Sequence, residues 1–216
     1  MAFVRALGRL VRSEPEPDLS TLPVWMDPIE LSQVRAVIET LAPKRVLEWG
    51  AGGSTRELLA TCPFIERYVS IEHNREWHGR VREIVKDPRL ELHLVEPARP
   101  EPPLPGAGGK RPTTADRELL KAWRLEAEQN PELMADYVAL PRTLDEHSFD
   151  FVLVDGRARS FCIREGFALL RPGGVVLLHD AQRPEYHEAL RAVGRPVFLE
   201  PWKQGQVCFV RKPDAA

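Results

Sequence analysis

Residues 45–55 read RVLEWGAGGST. Arg45 to Trp49 make a short apolar strand, and Gly50, Gly52 and Gly53 follow at once, ahead of the helix-forming stretch TRELLAT. A strand that ends directly in glycines lets its backbone come close to a ligand, and the helix behind it offers amides that have no partner within the helix. Glu72 ends a second strand, YVSIE at 68–72, 20 residues after Gly52. From that place a carboxylate can accept hydrogen bonds from both hydroxyls of a ribose. Together the two features predict a nucleotide-like ligand; taken alone, the glycines would equally describe a plain turn.

The pattern extends on both sides. REWHGRVREIVKD predicts a helix, LELHLV at 90–95 a third strand, FDFVLVD at 149–155 a fourth, SFCIREGFALL a helix and GGVVLLHD at 173–180 a fifth strand. PVFLEPW, the turn KQGQ and VCFVRK predict a closing hairpin. Upstream, DPIELSQVRAVIETLAP starts a helix with Asp27 as cap, Pro28 at the first position and Glu30 three residues after the cap. Strands apolar on both faces and separated by helices predict an α/β fold: a doubly wound, mostly parallel sheet with an antiparallel C-terminal edge hairpin.

A chain of 216 residues is long enough for one domain with its own core. With 30 basic and 32 acidic side chains and a net charge of -2 it offers no general attraction to a polyanion, so nucleic acid is not expected. Cys62, Cys162 and Cys208 lie far apart and include no CxxC pair, which speaks against a zinc or disulfide framework and for a reducing, cytoplasmic setting. No transmembrane segment is expected. Residues 1–24 are read as a basic helix and linker, with Arg5, Arg9 and Arg12 opposite Val4, Leu7, Leu10 and Val11. Docking of that helix on its own domain is the main reading, and a peripheral membrane contact the lesser one.

Residues 25–216 then form the main domain, with a Pro-rich loop plus helix inserted at 96–148. Six of the 20 prolines, from Pro97 to Pro112, fall in this insertion, which excludes a regular helix or central strand there. The following TTADRELLKAWRLEAEQNPELMADY is helix-forming, with Leu119, Leu120, Trp123 and Leu125 as its apolar side. The insertion is either a surface detour or a lid over the ligand-binding edge of the sheet. GAGGK at 106–110 lacks the Ser or Thr and the preceding strand of a phosphate loop.

The glycine turn does not complete G-x-G-x-x-G, because Thr55 stands where the third glycine belongs. Glu48, on the approach to the turn, would repel a diphosphate and could pair with an ammonium group. S-adenosyl-L-methionine, with a ribose, an amino-acid end and a sulfonium but no phosphate, meets these constraints. Here the sequence resembles the class I S-adenosylmethionine-dependent methyltransferases, whose fold is Rossmann-like. Their acidic-x-Gly-x-Gly-x-Gly motif is similar to Glu48-Trp-Gly50-Ala-Gly52-Gly53-Ser54, and their acidic end of the second strand matches Glu72. FDFVLVDGRAR and LLRPGGVVLLHD resemble their fourth and fifth strands, so that the resemblance spans about residues 25–211.

It implies a cofactor site of Glu48, Gly50, Gly52, Gly53, Ser54 and Glu72. It also implies a catalytic group of Asp155, His179 and Asp180 at the ends of the fourth and fifth strands. In the catechol-like branch such acids hold Mg2+, which would make Asp155 and Asp180 metal ligands; His179, a poor magnesium ligand, could instead act as a base toward a hydroxyl. Arg157 and Arg183 are candidate clamps for an anionic small-molecule substrate, with Arg157 preferred over Arg159. Methyl transfer to a small molecule, at an oxygen, is the expected activity, and a homo-oligomer is compatible with the composition. The alternatives are a catalytically inactive methyltransferase-like binding protein and, less favoured, a nicotinamide-dependent oxidoreductase.

Overall fold

The structure, a computed structural model, describes residues 21–103, 113–144, 149–201 and 205–215. The basic helix expected before residue 13, the GAGGK stretch and part of the KQGQ turn lie outside the described residues. Seven strands form one sheet: β1 (Arg45–Trp49), β2 (Arg67–Glu72), β3 (Leu90–Leu94), β4 (Phe149–Val154), β5 (Leu170–Leu178), β6 (Val197–Phe198) and β7 (Cys208–Arg211). Their order is β3-β2-β1-β4-β5-β7-β6. The first five are parallel, and β7 runs antiparallel to both β5 and β6. The final antiparallel pair therefore exists as expected, with its second strand inserted beside β5 and the two-residue β6 left at the edge.

The helices are α1 (Pro28–Leu41), α2 (Gly53–Thr61), α3 (Arg75–Ile84), α4 (Thr114–Gln129), α5 (Ala135–Ala139), α6 (Arg159–Leu169) and α7 (His187–Val193). Alternation along the central strands divides the core in two. Val46, Tyr68, Phe151 and Leu153 pack with α1 and α2 through Val34, Ile38 and Leu58. Leu47, Trp49, Val152 and Val154 pack with α4, α5 and α6 through Trp123, Tyr137 and Cys162. Both faces of the parallel strands are thus covered, which is why their sequences carry continuous apolar runs. The strand order changes direction between β1 and β4, so the carboxyl ends of these strands frame the crevice in which open α/β sheets bind ligands.

The α1 start follows its sequence signature, with Asp27 accepting from Ile29 N and Glu30 reaching back to Asp27 N at 3.0 Å. The insertion helix α4 differs from expectation in its buried stripe. Leu120, Trp123 and Ala127 face the core, whereas Leu119 and Leu125 are exposed. Spacings of three and four put the first set on one face; Leu119 sits about 70° and Leu125 about 165° from its centre. Trp49, the last residue before the glycine turn, is wholly buried and donates from its indole nitrogen to Tyr137 O at 3.0 Å. The three cysteines are buried and unpaired. Among the described residues no helix is long and apolar enough to cross a membrane.

Candidate functional site

β1 delivers its chain into the crevice through Gly50, whose φ of +99° suits glycine. Gly50 N donates to Ile71 O at 2.9 Å, and a Cβ here would meet Gly156 N at 2.6 Å. The glycine is thus required by the close approach of the loop after β4. Gly52 caps α2 and donates from its amide to Thr55 Oγ1 at 2.8 Å. A side chain on Gly53 would overlap the backbone of Pro23, and one on Gly52 would lie 3.4 Å from the Trp77 indole nitrogen. Trp77 itself donates to Ala51 O at 2.7 Å. Residues 22–24 and Trp77 therefore roof the turn.

Glu48 points down into the protein. Its carboxylate accepts from Ser54 Oγ at 2.9 Å, Thr55 Oγ1 at 2.6 Å and Ser70 Oγ at 2.6 Å, and it is entirely buried. Burial pushes its pKa up to about 7 against the three hydroxyls, which favour the carboxylate. Both Glu48 and Ser54 are therefore occupied with each other in bracing the turn, and the repulsion of a diphosphate expected from Glu48 is much weakened. Glu72, on the neighbouring strand, lies at the crevice. Its Oε1 accepts from the amides of His73 at 2.9 Å and Asn74 at 2.7 Å, which hold the side chain back over the strand end.

The ends of β4 and β5 bring Asp155, His179 and Asp180 together. His179 Nδ1 lies 2.8 Å from Asp155 Oδ1, and His179 Nε2 lies 3.4 Å from Glu30 Oε2. Burial alone would lower the histidine pKa, but the charge and hydrogen bond of Asp155, with Asp180 nearby, raise it to about 9. His179 is an imidazolium at neutral pH. Asp180 adopts a φ of +61°, a left-handed geometry tolerated by Asp, and turns its carboxylate toward Arg159 at 3.3 Å and Arg183 at 2.9 Å. Arg183 is otherwise exposed.

Arg159 changes the metal expectation. Its buried guanidinium lies 3.2 Å from Asp155 Oδ1 and 3.3 Å from Asp180 Oδ2, and it donates to the carbonyls of Asp155, Gly156 and His179. A divalent cation needs these oxygens for itself and would sit beside a fixed positive charge. Among the described residues no group of three or more His, Cys, Asp or Glu side chains is arranged to hold a metal ion. Mg2+ on Asp155 and Asp180 does not fit this donor set, because Arg159 lies between the two acids while His179 and Arg183 take up one each.

Arg157, more exposed than the buried Arg159, meets a residue of the insertion. Glu101 Oε1 accepts from Arg157 Nη2 at 2.9 Å and Arg124 Nε at 3.1 Å, while Glu101 Oε2 lies 2.8 Å from His73 Nε2. Burial would raise the Glu101 pKa, but His73 and the two arginines hold it down to about 2. Four residues of this edge went unseen as site residues in the sequence, Glu30, His73, Glu101 and Arg124, and Arg159 was set below Arg157. Glu30 was legible only as a helix cap, and the others carried no local motif.

No protein-family model and no curated protein matches the sequence. Solved structures do. A methyltransferase-like protein of Silicibacter pomeroyi is similar over 91% of this chain and 92% of its own, with 22% identity and a TM-score of 0.56. The O-methyltransferase of Bacillus cereus, in complex with SAH, is similar over 90% and 86%, with 15% identity and a TM-score of 0.62. The O-methyltransferase TomG of Streptomyces achromogenes, in complex with SAM, is similar over 87% and 81%, with 16% identity and a TM-score of 0.52. These likenesses establish the fold: the chain has the Rossmann-like fold of class I methyltransferases.

Proposed function

From this fold and the two edges of its crevice we propose that the chain is an S-adenosylmethionine-dependent methyltransferase acting on a small-molecule acceptor, with an oxygen as the methyl-accepting atom. The observation that carries the reading is the placement of Glu72 at the end of β2, one strand away from a glycine turn that opens α2. These residues fit the cofactor. Glu72 would take the ribose hydroxyls, and the Gly50–Ser54 turn with the first amides of α2 would hold the amino-acid end. Glu48 keeps the turn in place from below through Ser54 and Thr55. S-adenosylmethionine supplies a methyl group on a positively charged sulfur, which leaves the chain to align the acceptor and exclude water. Alignment of this kind contributes about 7–11 kcal/mol when orientation is good.

The acceptor side is assigned to the β4–β5 edge. Asp155 orients His179 through Nδ1, leaving Nε2, whose contact with Glu30 is long, as the nitrogen that exchanges a proton with a substrate hydroxyl. Being an imidazolium at neutral pH, His179 must first lose its proton, so it serves as a base in alkaline solution. Arg159 supplies the fixed positive charge of this edge and no step passes through a metal. Arg157 and Arg183 would meet anionic groups of the acceptor.

Transfer of labelled methyl from S-adenosylmethionine to a panel of small hydroxylated acids tests the reading directly. Product formation that Asp155→Asn and His179→Asn both reduce supports it. The rival, a binding protein without turnover, draws on the roof over Gly53 and on the engagement of both His179 nitrogens by carboxylates. It predicts cofactor binding with no product from any acceptor. A nicotinamide enzyme is disfavoured by the sheet, since the doubly wound dinucleotide order 3-2-1-4-5-6 has no antiparallel strand inserted beside β5.

A further inference from the structure

The cations around Glu101 outnumber it. One carboxylate of the insertion, itself largely covered, faces His73 from the β2–α3 turn, Arg124 from α4 and Arg157 from the loop after β4. A structural ion pair needs one partner of each sign, and further half-buried cations add desolvation cost and mutual repulsion. That repulsion is felt at Arg124, whose pKa is lowered by burial and by Arg157 and Arg183 in spite of Glu101. Of the other carboxylates, Glu72 Oε1 lies 3.0 Å from His73 Nδ1, and Glu128, which also feels Arg157, accepts from the amides of Arg159 and Ser160 beside the buried Arg159. The cluster thus carries more positive charge than its own carboxylate neutralises, two residues beyond Asp155.

Glu101 is also carried by an irregular segment. It lies between Pro100 and Pro102, outside any helix or strand. The nearest backbone ties are Ala98 N to Leu133 O and the Trp123 indole to Arg99 O. Glu101 makes no backbone hydrogen bond of the sheet or its helices, so its carboxylate is not part of their scaffold.

We propose that Arg124, Arg157 and His73 form a recognition site for a carboxylate of the methyl acceptor, and that Glu101 stands in that site until the acceptor displaces it. The proposal rests on the methyltransferase reading and narrows its substrate class to small molecules bearing a carboxylate. Glu101 is then a positioning residue that keeps the cations in place and selects against weak anions.

Calorimetric titration of succinate and of inorganic phosphate, at fixed ionic strength and without cofactor, into the full-length wild type and Glu101→Gln tests it. Removing the internal competitor should strengthen succinate binding about tenfold or more, the scale of a lost charged hydrogen bond. Adding Arg157→Gln to that variant should abolish the gain. Thermal unfolding verifies that Glu101→Gln is folded; if it is not, Glu101→Asp, with a shorter reach to the arginines, carries the same expectation. Equal succinate affinity with and without the Glu101 substitution, or a gain that survives Arg157→Gln, overturns the site. A gain for phosphate without one for succinate overturns its carboxylate class. Because no cofactor is present, these failures are separate from a failure to bind S-adenosylmethionine.

Discussion

One buried acid and one histidine decide how the site responds to pH. Glu48 has a folded pKa of about 7 against an ordinary value of 4.5, so its protonated form is favoured by folding. Its contribution is full below about pH 4.5 and is lost as pH rises through 7, which leaves a penalty on the order of a few kcal/mol in alkaline solution. Glu48→Gln should therefore raise the unfolding temperature relative to wild type at pH 8 and lose that advantage at pH 4, as followed by thermal melts at the two pH values. His179, raised from 6.5 to about 9, stabilises the fold fully below pH 6.5 and ceases to do so as pH passes 9. Methyl transfer to a hydroxyl should for the same reason increase with pH up to about 9. Asp155→Asn, by removing the largest raising influence, should move the His179 titration toward neutrality, which imidazole NMR resonances report directly. Glu72 and the glycines were legible because each acts through its own place at a strand end. Glu30 was not, since its partner His179 is 149 positions away and only the folded chain shows the contact.

The elements that surround the crevice are fitted to one another through glycines and through the insertion. A Cβ on Gly156 would overlap Tyr137 Oη, so Gly156→Ala should push α5 outward and cost about 1–3 kcal/mol in chemical denaturation. A threefold or smaller effect on the folding equilibrium would show that α5 gives way freely. The insertion was legible as loop plus helix from its prolines, but its docking was not. α4 lies over the sheet by Leu120 and Trp123, and Leu119 and Leu125, which share its apolar composition, face solvent because a helix of 3.6 residues per turn buries a single stripe. Likewise the network of Glu101 with His73, Arg124 and Arg157 joins four segments, and charged residues on loops give no periodic signal to read. Deleting residues 99–111 should impair acceptor turnover more than cofactor binding, as measured by label transfer and by titration on the same preparation. Equal loss of both would make the insertion a part of the scaffold.

At the scale of the whole molecule, seven strands in the order β3-β2-β1-β4-β5-β7-β6 place every candidate residue at the carboxyl edge of one sheet. The first five strands themselves follow from sequence, because covered parallel strands announce themselves as apolar runs of about five residues, but their lateral order is shown only by the fold. The position of β7 between β5 and β6 does not, because a hairpin reads the same whichever of its strands pairs with the sheet. The metal expectation meets a related difficulty: acids at two strand ends look like ligands until Arg159 is seen between them. A chelator should accordingly leave both methyl transfer and the unfolding temperature unchanged, whereas Arg159→Met, which strips Asp155 and Asp180 of their shared cation, should destabilise the chain by about 3–5 kcal/mol. The central claim is that Glu72 and the glycine turn bind S-adenosylmethionine, and calorimetric titration of the wild type and of Glu72→Gln meets it most directly. One molecule should bind per wild-type chain, with affinity falling about tenfold or more in the variant. No heat and no thermal shift in the wild type at saturating cofactor, or equal binding by both proteins, would contradict it.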